Sequence, residues 1–207
     1  MVLNIIIAAL AAYMLGNLNG AFLTGYRVAG EDVRKKGSGN AGLTNFIRNY
    51  GARPAIMVVA TAMGKATLAC LVGGGLLAPF GQIAGRALGG MVVILGHAFP
   101  ALLGFKGGKG ILSGVTVALC LDWRIGLFVF GIFLVAYWST HYVSLGSILS
   151  SGSFGFIYAF FHWDEKFAVC VGFFLSFLIV WLHRSNLQRL LKGQERKTNL
   201  FGKGNQS

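Results

Sequence analysis

Long apolar runs joined by short polar loops constrain this chain more than any other feature. They fall at about 3–26, 54–77, 83–104, 110–122, 124–141, 145–162 and 166–183. A helix that crosses a bilayer needs about 20 mostly apolar residues. The first three runs and the last reach or approach that length. The 110–122 run is short, and crosses only where the bilayer thins or the chain re-enters. The expected fold is therefore an all-α polytopic integral membrane protein with about seven transmembrane helices, residues 1–207 forming one membrane domain. Composition agrees, because 55% of the chain is hydrophobic and only 12% is charged. A soluble domain carries roughly twice that charged share. An ordinary water-soluble enzyme, a coiled coil and a disordered tail are excluded.

The first run does not read as a cleavable signal peptide. No basic segment precedes it, and it continues into Asn17 and Asn19.

The net charge of +12 is arranged by side. Arg86, Arg124 and Lys166 fall in loops on one face, and Lys65 falls inside a run. The other fourteen of the 18 Lys and Arg residues fall in 27–53, 105–109, 141–144 and 184–207. The excess of Lys and Arg on the cytoplasmic side places these segments inside, with the N-terminus outside and the C-terminus in the cytoplasm. The basic surplus is then a consequence of topology, and no nucleic-acid partner is expected.

Glycine, at 31 residues, is the other outlier. In membrane helices it permits close approach, and in loops it permits unusual backbone angles. Three cytoplasmic segments combine it with polar groups or set polar groups at helical spacing. The first is Gly37, Ser38, Gly39, Asn40, Ala41, Gly42, Leu43, Thr44 and Asn45, followed by Arg48. Its glycines free the backbone to turn N–H groups toward an anion. The neutral donors and the Arg48 fork suit a phosphate. A flexible glycine-serine connector would leave two Asn and a Thr unexplained.

The second segment, Gly104 to Gly110, carries Lys106, Gly107, Gly108 and Lys109. It is not a Walker loop, because Leu103 and Gly110 stand where that motif needs Gly and Ser or Thr. Its lysines still suit a phosphate at a helix end, with a simple cytoplasmic anchor as the competing reading. In the third, His183, Asn186 and Arg189 fall near one helical face, and a snorkelling basic helix end is the alternative. Ser144 and Ser147 occupy an uncharged loop, where a helix cap is the plainer reading. Asn17, Asn19 and Lys65 lie inside apolar runs, where polar groups are costly and mark candidate sites.

Several chemistries are missing. The six acids, Glu31, Asp32, Asp122, Asp164, Glu165 and Glu195, all lie outside the runs. No carboxylate pair is set for Mg²⁺ or a proton relay. Cys70, Cys120 and Cys170 are scattered, as are the histidines, so no metal, disulfide framework or cofactor is expected. There is no nucleophile elbow.

Taken together, these segments resemble the acyl-phosphate-dependent glycerol-3-phosphate acyltransferases of bacteria, the PlsY family. The resemblance rests on the Gly37 to Asn45 string with Arg48, and on Gly96-His97-x-Phe99-Pro100 running into Phe105 to Gly110. It also rests on Tyr142-Val143-Ser144-Leu145 and His183-Arg184-x-Asn186. It implies transfer of a fatty acyl group from acyl phosphate to the 1-hydroxyl of glycerol 3-phosphate. It also implies a bacterial cytoplasmic membrane, with the active site facing the cytoplasm and formed by 27–53, 104–110, 140–147 and 183–207. By the same resemblance, Ser38, Arg48, Lys109, His183 and Asn186 act on glycerol 3-phosphate. Gly37, Gly39, Asn40, Gly42, Thr44, Asn45, His97, Lys106, Gly107, Gly108 and Ser144 bind substrate.

Two other readings stand beside it. A transporter for a phosphorylated metabolite would use the basic mouths with Asn17, Asn19 and Lys65, but the chain shows no internal repeat of broken helices. A scaffold that binds anionic lipid through its basic loops would leave the neutral donors of the first segment unexplained.

Overall fold

The computed structural model of the protein describes residues 1–198. The rest of the expected cytoplasmic tail, Lys203 included, lies outside the described residues. The described chain is helical. Its α-helices are α1 (Val2–Asn17), α2 (Gly20–Ala29), α3 (Leu43–Tyr50), α4 (Ala52–Leu76), α5 (Ala78–Ala98), α6 (Ile111–Leu121), α7 (Trp123–Thr140), α8 (Val143–Phe161), α9 (Lys166–Leu182) and α10 (Arg184–Leu191).

Five spans are long and apolar enough to cross a bilayer: α1 with α2, α4, α5 with the turn to Leu103, α7, and α8. The α9–α10 pair, bent by 57°, makes up to six. The remaining apolar helix, α6, is only eleven residues long. The expected count of seven is therefore not reached by length and composition.

Burial is that of a protein whose solvent is lipid. Leu10, Phe128, Phe156 and Phe177 are exposed, while Asn17, Asn19, Ser113, Thr116 and Ser150 are buried. Exposed tryptophans mark two levels. Trp123 and Trp138 stand at opposite ends of α7, about 22 Å apart at 1.5 Å per residue. Lys166 lies over Trp163 at 4.1 Å, and Arg184 over Trp181 at 4.2 Å. Such aromatic and basic pairs suit the two interfaces of a membrane.

The end of the bundle away from the glycine-rich loops is closed by polar links. Asn4 donates to the Leu76 carbonyl (3.0 Å), and Arg86 to that of Cys120 (3.1 Å). Asp122 caps α7 and pairs with His162 at 2.8 Å. The His162–Asp122 pair joins residues 40 apart in sequence, which a search for local His–acid spacing does not find.

Helices α4 and α5 pack closely because both present small residues. A Cβ at Gly73 would lie 2.2 Å from the Gly85 carbonyl oxygen, and one at Gly89 would lie 2.1 Å from that of Ala69. Gly89→Ala forces these backbones apart and costs about 3 kcal/mol. Thermal unfolding in detergent will show a midpoint lower by roughly 10 °C. Gly75→Ala, placed in open space, will leave the midpoint nearly unchanged.

The first apolar run is broken. Leu18 and Asn19 interrupt α1 and α2, exposing the last carbonyls of α1. Lys65 Nζ donates to the Gly16 (2.7 Å) and Leu18 (2.8 Å) carbonyls and contacts His97 Nδ1 (3.0 Å). Asn19 Oδ1 caps α2 through the Phe22 N–H (3.0 Å). Asn17 Oδ1 accepts from the Leu102 N–H (3.1 Å). These intramembrane polar residues thus have partners, and they set the angle at which the chain enters the glycine-rich loops.

Candidate active site

The first glycine-rich segment is held by one buried side chain. Asn45 Oδ1 accepts from the Ser38 N–H (2.9 Å), while Nδ2 donates to the Val33 (3.2 Å) and Lys36 (3.1 Å) carbonyls. Gly37 and Gly39 turn the chain with positive φ. A Cβ at Gly37 would lie 2.3 Å from Asn45 Oδ1. Within the loop the Ser38, Gly39 and Gly42 N–H groups bond to Asn45, Lys36 and Asn40. The first turn of α3 has no side-chain cap, so its N–H groups also stay open to an anion. Thr44 sits on that turn, and the Ser38 side chain is exposed at the loop tip.

Arg34 joins the first segment to the second. It pairs with Asp32 (2.8 Å) and donates to the Leu103 (2.8 Å) and Lys106 (3.0 Å) carbonyls. In the second segment Gly107 and Gly108 lie against the backbone of 97–98, their N–H groups each 3.2 Å from the Ala98 and His97 carbonyls. A Cβ at Gly107 would lie 1.9 Å from the His97 carbonyl oxygen. This contact turns Lys109 inward and leaves Lys106 exposed.

The third segment follows the bend after α9. His183 is buried, and its Nδ1 donates to the Ile179 carbonyl (2.8 Å), since a carbonyl only accepts. Its Nε2 is then the acceptor nitrogen. Lys109 Nζ donates to Asn186 Oδ1, and Asn186 Nδ2 donates to Glu195 (2.7 Å). Arg189 takes the other Glu195 oxygen (2.7 Å). Burial pushes the Glu195 carboxyl up, but the hydrogen bonds from Asn186 and Arg189 outweigh it and hold it below the usual range. Burial, with Arg189 and Arg184 nearby, lowers Lys109 to about 8.

These segments enclose a cavity of about 700 Å³. Every residue expected at the site borders it except Lys106, Gly107 and Gly108. Its lining combines polar residues, Lys109, Arg48, Asn186 and Ser144 among them, with apolar ones, Val58, Ala62, Val115, Phe130, Phe133 and Leu134. The Ser144 hydroxyl is buried beside the Glu195 carboxylate and helps to hold it ionised.

Sequence reading missed the strand of tail that closes the mouth. Arg48 donates to the Arg196 carbonyl (3.1 Å) and to Thr198 Oγ1. Tyr137 donates to the Thr198 carbonyl (2.9 Å), and Thr198 N–H to that of His141 (3.0 Å). In the same stretch Glu195 accepts from Asn186 and Arg189. The available signal was a single acid set among Arg189, Lys192, Arg196 and Lys197.

Residues 6–193 match the family model described as glycerol-3-phosphate acyltransferase. The chain belongs to that family. A glycerol-3-phosphate acyltransferase of Clostridioides difficile (strain 630) is 34% identical over 198 residues, covering 95% of this chain and 96% of the relative. One of Prochlorococcus marinus (strain MIT 9215) is 38% identical over 203 residues, covering 95% and 98%. Among solved structures, the glycerol 3-phosphate form of PlsY, an integral membrane glycerol 3-phosphate acyltransferase, superposes with a TM-score of 0.85. It is 29% identical, with 96% of this chain and 99% of that one covered. The lysophosphatidic acid form gives 0.81 at 27% identity, with 95% and 96% covered.

Burial gives Lys109 a pH signature that tests a role in holding an anion. An ammonium there attracts an anion only while protonated, so with that role kcat/KM falls as pH rises through about 8. In Lys109→Arg the cation persists and this basic limb moves beyond the measurable range. A pH–rate profile of both proteins checks it.

Proposed function

We propose that this protein transfers a fatty acyl group from acyl phosphate to the 1-hydroxyl of glycerol 3-phosphate, releasing lysophosphatidic acid and phosphate. The observation that carries the reading is one cavity lined by both cationic and apolar residues. It fits two phosphates and one acyl chain. The four glycerol-3-phosphate acyltransferase relatives and structures described above support the same reading, and none of them is a transporter.

The proposed setting is a bacterial cytoplasmic membrane. The short α6 and the bent α9–α10 pair complete seven crossings, with the N-terminus outside and the C-terminus inside. The 27–53, 104–110, 140–147 and 183–207 segments then face the cytoplasm, where glycerol 3-phosphate is soluble. The Lys and Arg asymmetry supports this orientation.

In the proposed reaction Lys109 and Arg48 neutralise phosphate charge, and Ser38, Thr44 and Ser144 add neutral donors. Asn186 holds Lys109, and His183 helps to position glycerol 3-phosphate. The hydroxyl oxygen bonds to the acyl carbon. The carbon–oxygen bond to phosphate then breaks, and phosphate leaves with the electron pair. The hydroxyl proton passes to a phosphate oxygen. Acyl phosphate is a mixed anhydride with a good leaving group, so orientation and charge neutralisation supply most of the acceleration.

Donor choice tests this directly. Purified protein given glycerol 3-phosphate and palmitoyl phosphate makes lysophosphatidic acid. With palmitoyl coenzyme A in its place, no product forms. Equal use of the thioester would contradict the reading.

A further inference from the structure

Lys65 and His97 are an ionisable pair inside the bundle that the reaction above does not use. Lys65 is buried and points at three acceptors: the Gly16 and Leu18 carbonyls and His97 Nδ1 at 3.0 Å. An ammonium has three protons and no lone pair, so it only donates. His97 Nδ1 is therefore the acceptor, and the proton of the neutral ring sits on Nε2. Among the described residues nothing accepts that hydrogen. Gly108 leaves it uncovered, because a Cβ there would lie 2.4 Å from Nε2.

His97 borders the cavity, whose lining also includes the polar Lys109 and the apolar Val58 and Ala62. The cations of the lining suit phosphate. The atom of an acyl phosphate that still needs a donor, where head meets chain, is its carbonyl oxygen. The charge on Lys65 polarises the ring from behind and strengthens the Nε2–H as a donor.

We propose that Lys65 and His97 form a donor relay that presents the His97 Nε2 hydrogen to the acyl carbonyl oxygen and stabilises the oxyanion formed on attack. His97 is then a catalytic residue and Lys65 a positioning residue. The proposal rests on the acyl-transfer reading above.

Two measurements test it. With palmitoyl phosphate and glycerol 3-phosphate, His97→Met loses about 10²- to 10³-fold in kcat, the range for removing one oxyanion donor. KM for either substrate stays within a few-fold. His97→Gln, which keeps an amide N–H near the same place, recovers most of the rate. A rise in KM with kcat unchanged, or full activity in His97→Met, overturns the relay. Inactive wild-type protein would instead overturn the acyl-transfer reading.

Lys65 also satisfies the α1 carbonyls, so Lys65→Met is open to misfolding. The second measurement is therefore made on wild-type protein labelled with ¹⁵N-histidine, with His97 assigned by its loss in His97→Gln. The relay requires a His97 signal with Nε2 protonated and Nδ1 bare. A proton on Nδ1 overturns it.

Discussion

Replacing Lys109 with Met will lower kcat/KM for acyl transfer by about 10³-fold. Lys109 bonds Asn186, which bonds Glu195, which also takes Arg189. The ammonium is the inward cation of its loop, aimed there by the approach of Gly107 and Gly108 to the 97–98 backbone. Removing one preorganised group that stabilises developing charge costs about 10²- to 10³-fold in rate. Lys106→Met is the control. It removes the same charge three residues away, at an exposed position outside the cavity, and will stay within about two-fold of wild type, as surface changes usually do. Steady-state assays of both variants check the contrast. Equal losses would mean that the loop acts through its total charge.

Asn45→Leu will have the second largest effect, lowering kcat/KM by at least about 10²-fold. It removes four hydrogen bonds at once and leaves the Ser38 N–H, the Val33 and Lys36 carbonyls and one Asn49 amide contact without this partner. Each buried group left unmade costs about 1–3 kcal/mol. The loop that carries Ser38 then loses its shape, while the apolar bundle is untouched. Asn45→Asp separates the terms. It keeps the acceptor for Ser38 and loses only the donors, so its loss is smaller. Rates measured well below each variant's thermal midpoint check this, since a folded bundle then isolates the loss in the loop.

The legible part of this protein is whatever follows from local pattern. Apolar runs located the helices, because lipid demands it of every crossing. The 37–45 and 104–110 segments stood out because their residue types suit anions, and both contribute residues to one cavity. The rest depended on tertiary contact. Hydropathy passes through Leu18 and Asn19 without a break, since Lys65, 46 residues beyond Asn19, supplies what the broken helix needs. Gly107 and Gly108 read as a phosphate loop, yet they serve close approach to His97 and Ala98, which no spacing reveals. Lys106 and Lys109 are equivalent in sequence and opposite in direction. Glu195 looked like one solvated acid in a basic tail, and only folding brings it to Asn186 and Arg189. The short α6 exposes the limit of a length rule: eleven residues do not qualify as a crossing by themselves.

The most direct test is coupled product formation. Purified protein in liposomes is given palmitoyl phosphate and glycerol 3-phosphate, and phosphate and lysophosphatidic acid are measured together. Acyl transfer predicts one phosphate released per lysophosphatidic acid formed, with neither appearing when glycerol 3-phosphate is omitted. Phosphate release without lysophosphatidic acid, or no turnover by monodisperse protein, would contradict it.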